Sequence, residues 1–583
     1  MLVLAGGCSD AYLFSDPPTA SVRKERLREI GRLPIDQFRK PDPGPGPGGS
    51  SAAGTGVPDV DSLRARFQAM EKLALTLEDC RESALTNNLD LRVARVDPTI
   101  AAQQVSEEEA AFESAFTLRG LWAETDTPTA STLVSAQAQS IQVEPGVRIP
   151  LRTGGTARVG LPLARNKNDN PFSTLPESYT SDLELSLSHP LLRGAGRRAT
   201  TTALRVARYN QQASEAQTKL EVIRQLAAVD RSYWRLYRAR AELDVRQRQY
   251  ELAVEQLNRA RRRVNAGSAS EIEVVRAEAG VADQLDAIIR AENDVLAQQR
   301  EIKRIINKPG LTIDTEVAIV PETLPDPVEF AFERSVLADT AVANRMEMLE
   351  LELRLAADAA NIAFSKNQAL PLLTMDYTYR VNGLGASSQD SFRQLQQNDF
   401  EDWSVGLNAE VPIGNEAAKS RVRRSILQRL QRLGTKDARE LAIRQEVLDA
   451  IDAIQAGWQR VLAARQSTIL NARALQAEQR QFDVGESTST DVLDASARLA
   501  QSQSAEVLAL TDYQIAQVDL AFATGTLLGA ARVAWSPEPQ PEKPLSVPTP
   551  AETIPSEERE ESLAQPGSVP ESGAGGSLSE APR

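Results

Sequence analysis

Histidine occurs once and cysteine twice in 583 residues. A lone imidazole, His189, leaves no basis for histidine catalysis or a multi-histidine metal site. Cys8 and Cys80 are too few for a disulfide framework or a structural zinc site. No run of ~18 apolar residues exists, so no helix is expected to span a bilayer. Basic residues are outnumbered, with 66 Lys+Arg against 80 Asp+Glu and a formal net charge of -14. That balance argues against a nucleic-acid partner, which selects a basic surface. No catalytic constellation remains, and no cofactor or metal is expected.

The two ends read differently from the middle. Residues 1–8, MLVLAGGC, look like the remnant of a lipoprotein signal peptide, although Ala5 stands where that pattern has Leu. The expectation is a lipidated Cys8, with an ordinary thiol as the alternative. Residues 9–70 form a Pro/Gly-rich linker, centred on PDPGPGPGGSSAAGTG from Pro41. Gly44, Gly46 and Gly49 satisfy G-x-G-x-x-G there, but no strand precedes them and prolines interrupt them. Residues 534–583 are rich in Pro, Glu and Ser and are expected to be a disordered acidic tail.

Between them the chain repeats itself. Residues 197–266 contain no proline, and Val222, Leu226, Val229, Tyr233 and Leu236 recur at helical spacing. Residues 415–484 do the same with Leu441, Val447, Ile451, Ile454, Trp458 and Val461. Helices of this length reach ~105 Å at ~1.5 Å per residue and imply a coiled coil or a helical barrel.

Each long helix ends in a similar turn, VNAGSASEIEVVRA from Val264 and FDVGESTSTDVLDA from Phe482. Gly267 and Gly485 suit a left-handed helix end, and Ser270 and Thr488 suit the next N-cap. Glu273 and Asp491 fall in the following first turn, where the helix dipole favours an acid. The two turns are 218 residues apart, which marks an internal duplication.

Pro190 and Pro412 stand at matching strand-to-helix junctions, in LSLSHPLLRGAG and LNAEVPIGNEA. Shorter helices are expected at 75–113 and 328–368, with Pro98 kinking the first. Strands are expected at Phe116–Glu124, Ser181–Ser188, Leu372–Val381 and Asp402–Glu410. The repeats span 71–310 and 327–530. The fold class is α+β: long antiparallel helical coiled coils plus about four strands per protomer. Four strands leave open edges, and three chains would close a barrel. Val143–Ala164, with LRTGG as a tight turn, is a candidate for one further hairpin. His189, beside Pro190, reads as structural.

Residues 71–530 resemble the TolC family of outer membrane efflux proteins. The resemblance rests on the two G-x-x-[ST]-x-x-[DE]-V turns, the two junction prolines, LTLEDCRESALTNNLDL from Leu75 and NRMEMLELELRLAADAA from Asn344. This chain departs from the pattern at Met346 and Leu89, where the family often has Pro, and at Ser114. The resemblance implies a homotrimer in the outer membrane of a Gram-negative cell, with a twelve-strand barrel and an α-helical tunnel across the periplasm. It also implies a periplasmic adaptor docked at the turns around Gly267, Ser270, Gly485 and Thr488. An inner-membrane transporter is then an indirect partner.

By the same resemblance, Asp491 and Asp494 would ring the periplasmic gate and favour cations. Glu273 and Arg276 hold the equivalent places in the first repeat. Arg259, Arg261, Arg262 and Arg263 lie just before the first turn, and pairing with Glu486, Glu271 or Glu273 is a candidate tip lock, Arg262, Arg263 and Glu486 foremost; the alternative is a solvated basic helix end. The implied function is passive export in a tripartite efflux or type I secretion system. The alternative is a soluble periplasmic coiled-coil scaffold or adaptor, which needs no strand hairpins facing lipid.

Overall fold

The computed structural model describes residues 70–128, 135–170, 172–267 and 270–533. The expected lipidation site Cys8, the linker up to residue 69 and the tail from residue 534 lie outside the described residues.

In the first half, β1 (Lys72–Leu75) leads into α1 (Leu77–Asn87), α2 (Leu89–Ala94) and α3 (Val96–Ala110). Then come β2 (Ala115–Asp126), β3 (Gln137–Pro150), β4 (Thr156–Gly160), β5 (Leu163–Asn168), β6 (Glu177–Ser181) and β7 (Leu183–Pro190). The short α4 (Arg197–Thr200) opens onto α5 (Thr202–Asn265) and its partner α6 (Glu271–Ile306). After β8 (Ala318–Pro321), the second half runs α7 (Arg334–Asn344), α8 (Met346–Gln368), β9 (Leu372–Val381), β10 (Leu384–Gly385), α9 (Ser388–Gln397) and β11 (Glu401–Glu410). It ends with α10 (Glu416–Val484), α11 (Ser489–Ala523) and α12 (Leu527–Ala530).

The long helices form where the apolar spacing put them. Val222, Leu226, Val229, Tyr233 and Leu236 of α5 are all buried, packed with α6, α8 and α11. In α10 the buried stripe is Ile443, Val447, Ala450, Ile451 and Ile454, and Leu441 departs from it at 69% exposed. Six residues separate Leu441 from Val447, about 120° short of two turns, so Leu441 faces outward.

The expected helix at 75–113 is three pieces. Asn88 caps α2 by accepting a hydrogen bond from the Leu91 amide at 3.0 Å, which turns the chain. Pro98 sits in the first turn of α3, where its missing N–H is not needed, so the break falls before it and not at a kink. α1 starts with a capping box between Thr76 and Asp79.

A small parallel pair, β1 with β8, was not anticipated from the sequence. It is held to α5 by Tyr233, whose hydroxyl donates to the Leu75 carbonyl at 3.3 Å and accepts from the Thr323 amide at 2.8 Å. Nearby, the buried Lys303 donates to the Thr315 and Val317 carbonyls at 2.7 and 3.0 Å. Cys80 is buried in the same core, and burial pushes its thiol up to about 12. No helix among the described residues is long and apolar enough to cross a membrane.

Where α8 begins, Arg345 is 3% exposed and donates to Glu347 at 2.6 and 3.1 Å, to Glu446 at 2.8 Å and to the Ala523 carbonyl at 3.2 Å. Burial opposes a charge on Glu347, but hydrogen bonds from Arg345 and Arg439 outweigh it and hold the carboxyl below its ordinary value. A depressed carboxyl stabilises the fold above its unfolded value of ~4.3, and that contribution is lost as pH falls through the folded value. Thermal melts followed by circular dichroism are expected to show a falling Tm below about pH 4.3. Glu347→Gln is expected to flatten that dependence while lowering Tm at neutral pH.

The remaining strands form one antiparallel sheet with six positions across it. β2 pairs with β3 from Ala115↔Arg148 to Asp126↔Gln137. The other edge of β3 is filled by β5 and β4 lying end to end. The break between them falls at Pro162, which has no N–H for the ladder. β6 and β7 continue the order, then β9 with β10, then β11. This corrects the expectation of about four strands per protomer. The extra pair arises because Leu151–Gly155 makes the tight turn that LRTGG suggested, and Gln137–Gln142, upstream of that candidate hairpin, extends β3. In this turn Gly154 takes φ +103°, and an added Cβ would lie 2.3 Å from the Gly194 carbonyl oxygen.

Candidate functional site

Two regions carry the chemistry: the turns at the far end of the long helices, and the two faces of the sheet. At the second turn, Gly485 ends α10 with φ +87°, as its placement required. Thr488 caps α11, and its hydroxyl and amide donate to the Asp491 carboxylate at 2.6 and 2.9 Å. Those bonds lower the pKa of Asp491 from its ordinary value. Asp491 is thus engaged in a capping box. Asp494, one turn on, is exposed and lines a groove of about 560 Å³ with Gln249, Arg276, Asp283 and Thr490.

The first turn is built differently. Gly267 is left-handed at φ +71°, but the Ser270 side chain makes no cap bond. Thr488→Ala is therefore expected to cost about 1 kcal/mol and to speed amide exchange in the first turn of α11. Ser270→Ala should leave α6 nearly unchanged, a contrast that hydrogen exchange resolves directly.

The arginines before the first turn reach partners the sequence did not suggest. Arg259 lies 3.8 Å from Asp483, and Arg261 pairs with Glu278 at 2.8 Å. The Arg263 guanidinium stacks 4.7 Å above the Phe482 ring. Arg262 lines the same groove as Asp483 and Gly485, while the Glu486 amide closes the turn onto the Gln481 carbonyl at 2.9 Å. The Arg259 and Arg263 contacts join the two turns side by side. Buried Ser496 and Gln249 add a 2.6 Å hydrogen bond between α11 and α5. No local signal marks the Arg259, Arg263 and Ser496 contacts, because those partners are more than two hundred residues apart.

The strand-to-helix junction is likewise specific. Pro190 ends β7 opposite Thr374, and Gly194 donates to Asn367 Oδ1 at 2.8 Å. His189 Nε2 lies 3.1 Å from Thr153 Oγ1 in the LRTGG turn, in keeping with a structural role. Pro412 follows β11, and Asn415 after it donates to the Ala369 carbonyl at 2.8 Å.

The sheet separates its side chains by chemistry. The pairs Phe116↔Val147, Leu118↔Pro145, Trp122↔Ile141, Val159↔Leu185, Leu187↔Tyr377, Tyr379↔Trp403 and Tyr377↔Val405 share one face. The opposite face carries Arg119↔Glu144, Ser140↔Asn166, Glu184↔Arg380, Ser186↔Thr378 and Arg380↔Asp402. Its charges pair across strands, with Arg380 2.6 Å from Glu184. The apolar face is open to solvent in the single chain, with Phe116, Trp122 and Trp403 each about 70% exposed. β9 and β11 have ten residues each, the length a tilted strand needs to cross a bilayer.

An open sheet with one apolar face, joined to long helical hairpins, is the build of one segment of a membrane channel wall. The family model for outer membrane efflux proteins matches residues 158–308 and 337–526. The chain belongs to that family. It is 26% identical over 314 residues to the outer membrane protein TolC of Vibrio cholerae, covering 51% of this chain and 67% of that protein. Its fold is similar to the Campylobacter jejuni CmeC outer membrane channel, with TM-score 0.57 and 16% identity, over 77% of this chain and 86% of that one. It is also similar to VceC of Vibrio cholerae, with TM-score 0.56 and 15% identity, over 77% and 96%. The protein is accordingly an outer-membrane efflux channel subunit and not an enzyme, which sets aside the soluble scaffold alternative.

Proposed function

We propose that three copies form a passive conduit, with the sheets as a barrel in the outer membrane and the helical hairpins as a periplasmic tunnel. The observation that carries this reading is the division of the sheet into an apolar and a polar face over all six strand positions. An apolar face this exposed needs lipid, and a polar face needs a water-filled lumen. The segments 71–310 and 327–530 act as the two repeats of each protomer. A lipid on Cys8 would add to a hold that the barrel already supplies. In this reading an inner-membrane transporter drives the substrate, and a periplasmic adaptor docks at the turns of Gly267, Ser270, Gly485 and Thr488.

The tip sets selectivity in this reading. Threefold symmetry repeats Asp494 and Asp491 around the axis, and crowded carboxylates favour cations, multivalent ones most. Because Asp491 is held by Thr488, Asp494 is the freer ligand. Arg262 and Arg263 with Glu486 form the complementary rim that limits opening.

The test is reconstitution of the full chain in planar bilayers after outer-membrane extraction. Trimers by native mass spectrometry and ATP-independent conductance are expected. A soluble monomer without conductance overturns the reading. Asp494→Ala is expected to weaken cation selectivity and relieve multivalent-cation block more than Asp491→Ala does, with trimers intact. Unchanged selectivity in both variants would place the constriction elsewhere.

A further inference from the structure

We infer that the barrel closed by this chain has eighteen strands, with β2 of each copy paired to β11 of the next. The inference rests on the trimeric reading above and concerns which strands complete the wall. Among the described residues β2 pairs only with β3, and β11 only with β9, so each leaves one edge of backbone donors and acceptors open. In a lipid setting such edges must be paired, because no water is there to satisfy them.

Three observations place the β2–β3 hairpin within the wall. First, its apolar side chains continue the apolar face of the other four positions. Phe116, Leu118 and Trp122 are 65–72% exposed and lie on the same face as Leu185, Tyr379 and Trp403. A plug inside the lumen or a loop in solvent has no use for a face of that composition. Second, β3 is tied through its turn into β4 to the strand-to-helix junction. The Gly196 amide donates to the Thr153 carbonyl at 2.9 Å, and His189 reaches Thr153 Oγ1 at 3.1 Å. The turn of β3 into β4 thus sits at the helix end of the sheet, as a turn inside a barrel wall must. Third, the senses agree. β2 leaves the helices after α3, and β11 returns to them before α10. Their pairing between copies is antiparallel, so the ring closes with no parallel joint.

The partner at both edges is therefore a second copy of this chain. Barrel diameter grows roughly in proportion to strand number, so eighteen strands give a bore about 1.5-fold wider than twelve. That is the range in which a barrel leaves an aqueous channel. The membrane end is then no barrier to bulky solutes, and size selection falls to the helical tunnel and its tip.

Disulfide crosslinking of the full-length protein in outer membranes tests this. Val405→Cys on β11 is combined in turn with Leu118→Cys, Gly120→Cys or Trp122→Cys on β2, and with Val159→Cys or Leu163→Cys on β4 and β5. All these positions share the apolar face, and stepping two residues at a time scans the register between copies. Oxidised samples are read on non-reducing gels against native mass spectrometry of the same preparations. Crosslinked dimers and trimers through β2 are expected. Crosslinks through β4 or β5 instead would overturn the inference in favour of twelve strands, while leaving the trimeric channel standing. Intact trimers with no crosslink in either series would also overturn it. A monomer in every preparation would overturn the trimeric reading itself.

Discussion

Leu185→Arg is expected to remove the protein from the outer membrane. Leu185 lies on the apolar face of β7, between Val159 of β4 and Tyr379 of β9. A charge facing lipid near the bilayer midplane costs about 2–4 kcal/mol per copy. In the proposed three-copy barrel the cost recurs in every subunit, so assembly falls by several orders of magnitude. Ser186→Arg, one residue on, points to the polar face beside Arg158 and Thr378 and should insert normally. Outer-membrane fractionation and heat-modifiable mobility on gels compare the two directly. Equal insertion of both variants would show that the face carrying Leu185 does not meet lipid.

Asp230→Ala is expected to destabilise the helical body by about 3–5 kcal/mol. Asp230 is fully buried on α5, and its two oxygens accept from Arg81 Nε and Nη2 at 2.8 and 2.7 Å. Burial raises the Asp230 carboxyl, and the Arg81 hydrogen bonds oppose that shift. Removing the carboxylate strands a largely buried guanidinium against α5, and that loss exceeds the intrinsic worth of the pair. The double replacement Arg81→Met with Asp230→Leu should recover most of the loss, since an apolar pair of similar volume needs no compensation. Thermal unfolding of the protein in detergent, read by circular dichroism, distinguishes the single from the double variant. A small effect in Asp230→Ala would mean that water reaches Arg81.

The long helices, their turns and the duplication were legible because each rests on local rules. A buried stripe at helical spacing, a left-handed glycine and a hydroxyl cap act within a few residues of one another. That is why Val222 to Leu236, Gly485 and Thr488 stand where the pattern placed them. The same rules mislead when a stripe is extended by composition alone, as at Leu441. The strand count was less legible. Alternation identifies a strand but not its neighbours, and the Pro145 and Pro162 interruptions make β3 to β5 look irregular. The β1–β8 pair escaped notice because four-residue strands carry too little pattern, and it is held by Tyr233, far along the chain from both strands.

The sequence by itself determined the class of the fold, the two repeats, the helix ends and the residues in the tip turns, since helix geometry and capping depend on near neighbours. Only the tertiary structure decided which strands share an edge, which side chains share a face, and that Asp494 is open to a groove shared with α5 and α6. It also brought Arg263 onto Phe482 and Asp230 onto Arg81. The last two pairings join segments more than a hundred residues apart, and no periodicity within either segment records the partner.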